Sequence, residues 1–172
     1  MARLRPARTC RYANSQAWAR YSLRQPKKNY IRARPHTSLT QFKMGSEKPE
    51  FDVNMTLDAQ QDVQLRSNAL EAARQNANKH MEKTIPEGYL FRVLVYPHNV
   101  IREHRMAVGA GADRISQGMA HAYGRPVSVA ARIKRNQSIF LIKTTKENIP
   151  VARKALIRAQ SKLSGVYKIR TS

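Results

Sequence analysis

The sequence predicts an α+β domain with a mostly antiparallel sheet, two helices and an extended basic arm ahead of it. Three observations predict this class. Strand-like runs recur at 51–57, 89–96, 99–105, 127–133 and 138–145. Two other stretches place apolar residues at steps of three and four, the period of a half-buried helix. The order of these segments shows no regular strand–helix–strand alternation, which argues against a parallel sheet.

The elements follow in order. Residues 1–46 carry prolines at 6, 26 and 35 and no sustained apolar period, so they read as an extended arm with a short strand near NYIRAR. Residues 47–172 form a single α+β domain. In it, Phe51, Val53, Met55 and Leu57 alternate with polar residues as a half-buried strand does. Asp58 or Asp62 is placed to cap a helix running to about His80, with Leu70, Ala73, Ala77 and Met81 as its buried stripe. Pro86-Glu87-Gly88 turns into the strand YLFRVLVY, which Pro97 ends. NVIREHR is the next strand and leads into a flexible loop at 106–119. VSVAARI and SIFLIKTT are joined by Lys134-Arg135-Asn136-Gln137, a hairpin. Asn148 is the expected cap of a second helix with Pro150 in its first turn, where a missing N–H costs nothing. Ala152, Leu156, Ala159 and Leu163 supply its stripe, Gly165 its stop, and VYKIR the last strand.

Charge is the dominant fact of composition. The 172 residues hold 32 Lys and Arg against 11 Asp and Glu, a formal net charge of +21. Such self-repulsion opposes compaction unless a polyanion offsets it. The charge is also segregated. Residues 1–46 contain eleven basic residues and no acid, 47–87 contain eight of the acids, and 88–172 are basic again. The middle segment is therefore expected to face away from the polyanion. In the arm, Arg3, Arg5, Arg8, Arg11, Arg20, Arg24, Lys27, Lys28, Arg32 and Arg34 are interleaved with Tyr12 and Trp18, charges for phosphates and rings for bases. In the second helix, Lys154, Arg158 and Lys162 lie four apart opposite the apolar stripe, with no acid among them. Like charges at that spacing destabilise an isolated helix, so a phosphate partner is the natural compensation.

Other chemistries find little support. The loop sequence GAGADR has Gly109 and Gly111 at the spacing of a dinucleotide fingerprint, but the third glycine is replaced by Arg114. No P-loop and no serine-nucleophile elbow occurs. The histidines at 36, 80, 98, 104 and 121 match no metal-binding spacing, and the single cysteine, Cys10, excludes an internal disulfide and a cysteine-based zinc site. No cofactor and no metal are expected. Nor is a membrane role: the longest apolar run is interrupted by Arg92, and the N-terminus lacks the apolar core of a secretory signal. The chain fits a reducing, cytoplasmic compartment. The loop at 106–119 reads instead as a supple segment on a nucleic-acid binder, its glycines allowing close approach and its arginines meeting phosphate.

Beyond these readings lies a resemblance. RPAR near the start, ALEAARQNANKHM at 69–81, FRVLVYPHNVIR at 91–102, GAGADRISQGM at 109–119 and VARKALIRAQSKL at 151–163 resemble the large-subunit ribosomal protein family called L ten e in archaea and eukaryotes and L sixteen in bacteria. Eukaryotic members carry further cysteines and a C-terminal extension not seen here, which points to the archaeal branch. The resemblance implies a hammerhead-type α+β fold bound to large-subunit rRNA of the 23S type, near the central protuberance and 5S rRNA, among neighbouring ribosomal proteins and not as a homo-oligomer. It implies that the loop reaches toward the peptidyl-transferase region and the tRNA acceptor end. The residues carried over are Arg102, Arg105, Met106, Gly109, Gly111, Asp113, Arg114, Gln117 and Met119. The protein would then position RNA rather than catalyse, in the cytoplasm and within the large ribosomal subunit. A free-standing RNA-binding or RNA-modifying factor is the alternative.

Overall fold

The computed structural model describes residues 5–9, 11–12, 31, 33–47, 50–104, 109–112 and 124–172. Among these residues, eight strands and two long helices are arranged as β1 (Lys43–Gly45), β2 (Val53–Ala59), β3 (Val63–Arg66), α1 (Ser67–Thr84), β4 (Tyr89–Val93), β5 (Asn99–Glu103), β6 (Arg125–Ile133), β7 (Ser138–Thr144), α2 (Ile149–Gln160) and β8 (Tyr167–Thr171). The class is the one expected, α+β with antiparallel pairing. The strands form two sheets: one of five strands in the order β1-β4-β7-β2-β8, and one of three in the order β3-β6-β5. Among the described residues every strand pairing is antiparallel.

The core lies between the five-stranded sheet and the two helices. The expected stripe of α1 is fully enclosed, as are Ala152, Leu156 and Ala159 of α2, with Ala155 added. Small alanines on both helices let them lie close to each other and to the sheet. Phe91 of β4 and Phe140 of β7 meet in a tilted pair at 5.4 Å, the largest fully buried side chains of this core. Packing also reaches back into the acid-free segment. Leu39 is buried, β1 pairs with β4, and the buried Arg74 of α1 donates to the Gln41 amide oxygen at 3.2 Å as well as to Glu71.

Several local expectations need correction. Neither Asp58 nor Asp62 caps α1. Val63, Gln64 and Leu65 are all buried and pair with β6, so a strand intervenes and the helix starts at Ser67 without a side-chain cap. Asp58 stays in β2, where it accepts from the Ser138 hydroxyl at 2.6 Å and pairs with Arg170. Asp62 accepts the Arg135 backbone N–H at 2.8 Å and so secures the β6–β7 hairpin, where Asn136 takes a left-handed conformation. Asn148 does precede α2, but its side-chain N–H donates to the Thr145 hydroxyl, and its side-chain oxygen accepts no N–H from the first turn of the helix. Gly165 is not the helix stop, because α2 ends at Gln160 and is closed by a turn at Ser161. The strand expected near NYIRAR falls largely outside the described residues, and residues 31, 33 and 34 are not strand.

Candidate nucleic-acid interface

The exposed cations of α2 are ordered by their neighbour. α1 and α2 pack side by side and antiparallel, so that Ala72, Asn76 and His80 of α1 face Lys162, Arg158 and Lys154 in turn. The Asn76 amide donates to the Arg158 carbonyl at 3.4 Å and ties the two helices together at mid-seam. Lys154 and Arg158 are exposed, four residues and about 6 Å apart along the helix. Lys162 continues the row in the turn beyond. The expectation that the near-neutral segment turns away does not extend to α1, whose polar face borders the cations directly.

The row ends at a second basic cluster. A hollow of about 240 Å³ is lined by Ala7, Gln64, Arg66, Asn68, Ala69, Ala72, Lys162 and Ser164. There the acid-free N-terminal segment docks on the domain. The Arg66 guanidinium donates to the Arg5 carbonyl at 2.8 Å, and the Gln64 N–H donates to the Arg11 carbonyl at 2.7 Å along the edge of β3. Arg8 and Tyr12 remain exposed, and the Arg11 guanidinium lies 5.7 Å from the Tyr12 ring centre. Arg11 also stands near Tyr167, whose phenol is pushed well up by burial and only partly drawn back by that charge.

Arg34 lies elsewhere. It is exposed, donates to the Pro97 carbonyl at 3.0 Å and covers the Tyr96 ring at 4.9 Å. Tyr96 in turn stacks on Phe42 and meets His98. Thus a cation and three rings gather on one surface, with Leu94 exposed beside them in sequence.

At the root of the loop, β5 and β6 pair as far as Glu103 and Arg125, and the register shifts between Ile101 and Arg102. Arg102 is half-buried there. Gly109 and Gly111 are exposed, both at positive φ, with open space around them. Their role is conformational, not steric. Gly124, which sequence reasoning missed, is different: its φ is +80°, and a Cβ there would fall 2.3 Å from the Glu103 carbonyl carbon. The backbone of the returning chain touches the backbone of the leaving one, and no side chain fits between. Arg3, Trp18, Arg20, Arg24, Lys27, Lys28, Arg32, Arg105, Met106, Asp113, Arg114, Gln117 and Met119 lie outside the described residues.

Among the described residues, no group of His, Cys, Asp or Glu side chains is placed to hold a metal ion, and no helix is long and apolar enough to cross a membrane. Fold and surface together define a class: a small α+β scaffold with a row of cations along one helix and a basic cluster where the N-terminal segment docks, suited to a polyanion. The chain belongs to the ribosomal protein L16p/L10e family, whose family model matches residues 19–170. It is 42% identical to the large ribosomal subunit protein uL16 of Archaeoglobus fulgidus over 156 residues, 90% of each chain. It is 41% identical to that of Methanococcus aeolicus over 167 residues, 96% of this chain and 92% of the relative. For Thermofilum pendens the figure is 38% over 161 residues, 93% and 92%. These relatives are archaeal, in keeping with the branch expected from the sequence.

Proposed function

We propose that this chain is a structural constituent of the large ribosomal subunit, held on 23S-type rRNA among other ribosomal proteins in the cytoplasm, and not an enzyme. Family membership across nearly the whole chain carries this reading. The physical surface supports it: +21 of formal charge, an acid-free helix face and an acid-free N-terminal segment make a protein that rRNA stabilises. The test is sedimentation. The endogenous protein is expected to remain with large subunits after a moderate salt wash, and recovery of most of it as free protein would refute the assignment.

The finer reading concerns the loop at 106–119. It acts as a finger toward the peptidyl-transferase region and the tRNA acceptor end, with Arg102, Arg105, Arg114 and Gln117 as its polar contacts and its glycines giving reach. The tight root at Gly124 supports this, because a fixed base gives the segment it carries a defined direction. The seam cations and the N-terminal segment hold the body on rRNA, in the vicinity of 5S rRNA. Chemistry at the site belongs to RNA, and the protein positions.

A further inference from the structure

We propose that His80 is the third cation of an RNA-phosphate site at the α1–α2 seam, joining Lys154 and Arg158 by taking up a proton as the phosphate arrives. This rests on the ribosomal reading and adds to it a ligand that charge alone does not reveal, since His80 is formally neutral and lies in the near-neutral segment.

The geometry comes first. His80 sits on α1 four residues after Asn76, at the level where α2 presents Lys154 and Arg158. It is half-buried, and its Nε2 is enclosed without a hydrogen-bond partner in the fold. Its carbonyl is occupied, accepting from the Thr84 hydroxyl at 2.8 Å. The charged groups facing the ring are Lys154 and Arg158 of α2. On α1 its neighbours at three and four positions are Asn76, Ala77, Lys83 and Thr84, so no carboxylate is among them. Glu82 and Glu87 line a separate hollow with Asn78 and Tyr89, and Glu82 stands about 200° around the helix from His80. Toward the sheet, α1 presents Ala73, Ala77 and Met81, which are apolar.

In the free protein this setting holds His80 below its ordinary pKa of 6.5, first by burial and then by repulsion from Arg158 and Lys154. A phosphate bound between those two cations reverses the repulsion. It brings a negative charge close to the imidazole, which favours the protonated ring. The histidine pKa therefore rises on binding, and RNA affinity rises as pH falls between the bound and free values.

The experiment uses the full chain and a short oligouridylate at fixed ionic strength, with binding measured at about pH 7.5 and about pH 5.5. The wild type is expected to bind more tightly at the lower pH, by up to tenfold for each unit separating the two pKa values. His80→Gln should lose that increment while keeping its thermal midpoint at the higher pH. Lys154→Gln combined with Arg158→Gln should lose affinity at both pH values. The imidazole NMR signal of His80 in the wild type should titrate at higher pH when the oligonucleotide is present. A His80→Gln variant with the wild-type pH dependence, or an imidazole titration unmoved by RNA, overturns the inference. Failure of the wild type to bind purified large-subunit rRNA at either pH instead overturns the ribosomal reading.

Discussion

Gly124 shows how much a single residue without a side chain decides. Its φ of +80° belongs to the left-handed region, and its Cα faces the Glu103–His104 peptide so closely that a Cβ would meet three backbone atoms within 2.5 Å. Backbone cannot swing aside as a long side chain does. Gly124→Ala should therefore destabilise the protein by about 1–3 kcal/mol from the conformational strain alone, with more from displacement of β5. Gly109→Ala, in open space on the exposed loop, should cost less, because only the loop itself has to readjust. Urea denaturation of the two variants gives the comparison, and equal midpoints would show that the root is not fixed as described. Asp62 makes a related point. Its sequence position fits a helix cap, but its carboxylate holds the Arg135 N–H across the hairpin, because the buried residues after it are needed in β3.

At the scale of elements, α1 is anchored by an ion pair within one turn of helix. Arg74 is buried and donates to Glu71 and, across to the segment before β1, to Gln41. The Arg74 hydrogen bonds hold the Glu71 carboxyl below its ordinary value of 4.5, against the opposing effect of burial. The folded protein thus binds fewer protons than the unfolded chain in that range. This contribution to stability is complete above the unfolded value of 4.5 and is lost as pH falls through the lower folded one. Glu71→Gln should flatten that limb of the stability profile, measured by thermal midpoint across the acid range; an unchanged profile would remove the pair from the account. The loop at 106–119 should behave in the opposite way. It leaves a root already closed by β5–β6 pairing. Its deletion should therefore leave the thermal midpoint nearly unchanged while lowering tRNA binding and peptide-bond formation by reconstituted subunits. Full activity of such subunits would reduce the loop to a surface feature, and a large fall in midpoint would make it structural.

At the scale of the whole molecule, binding to rRNA should be governed by counterion release. Each phosphate neutralised contributes roughly −0.7 to −0.9 to the slope of log K against log salt. Replacing Arg158 with Gln should make that slope shallower by about 1, weakening binding to all sequences alike. Filter binding to large-subunit rRNA over a salt series measures both. A flat salt dependence would contradict the electrostatic account, as would a slope unaffected by removal of a seam cation.

Much of this protein was legible in the sequence, and the legible part is the local part. The stripes Leu70–Ala73–Ala77–Met81 and Ala152–Leu156–Ala159 are fixed by helical period, the hairpin at 134–137 by turn chemistry, and the charge segregation by composition alone. Family membership is likewise a property of the residue string. What needed the tertiary structure is whatever depends on which segments meet. Local alternation does not say which strand will be its partner, so the division into two sheets and the strand at Val63–Arg66 were hidden until β6 supplied the pairing. The row of Lys154, Arg158 and Lys162 was visible, but His80 and Asn76, more than seventy residues away, join it only because two alanine-lined helices pack antiparallel. Gly124 is one glycine among seven in the sequence and becomes decisive where two backbones touch. Period, turn and charge act over a few residues and can be read along the chain, whereas pairing and close approach are settled by burial across the whole fold.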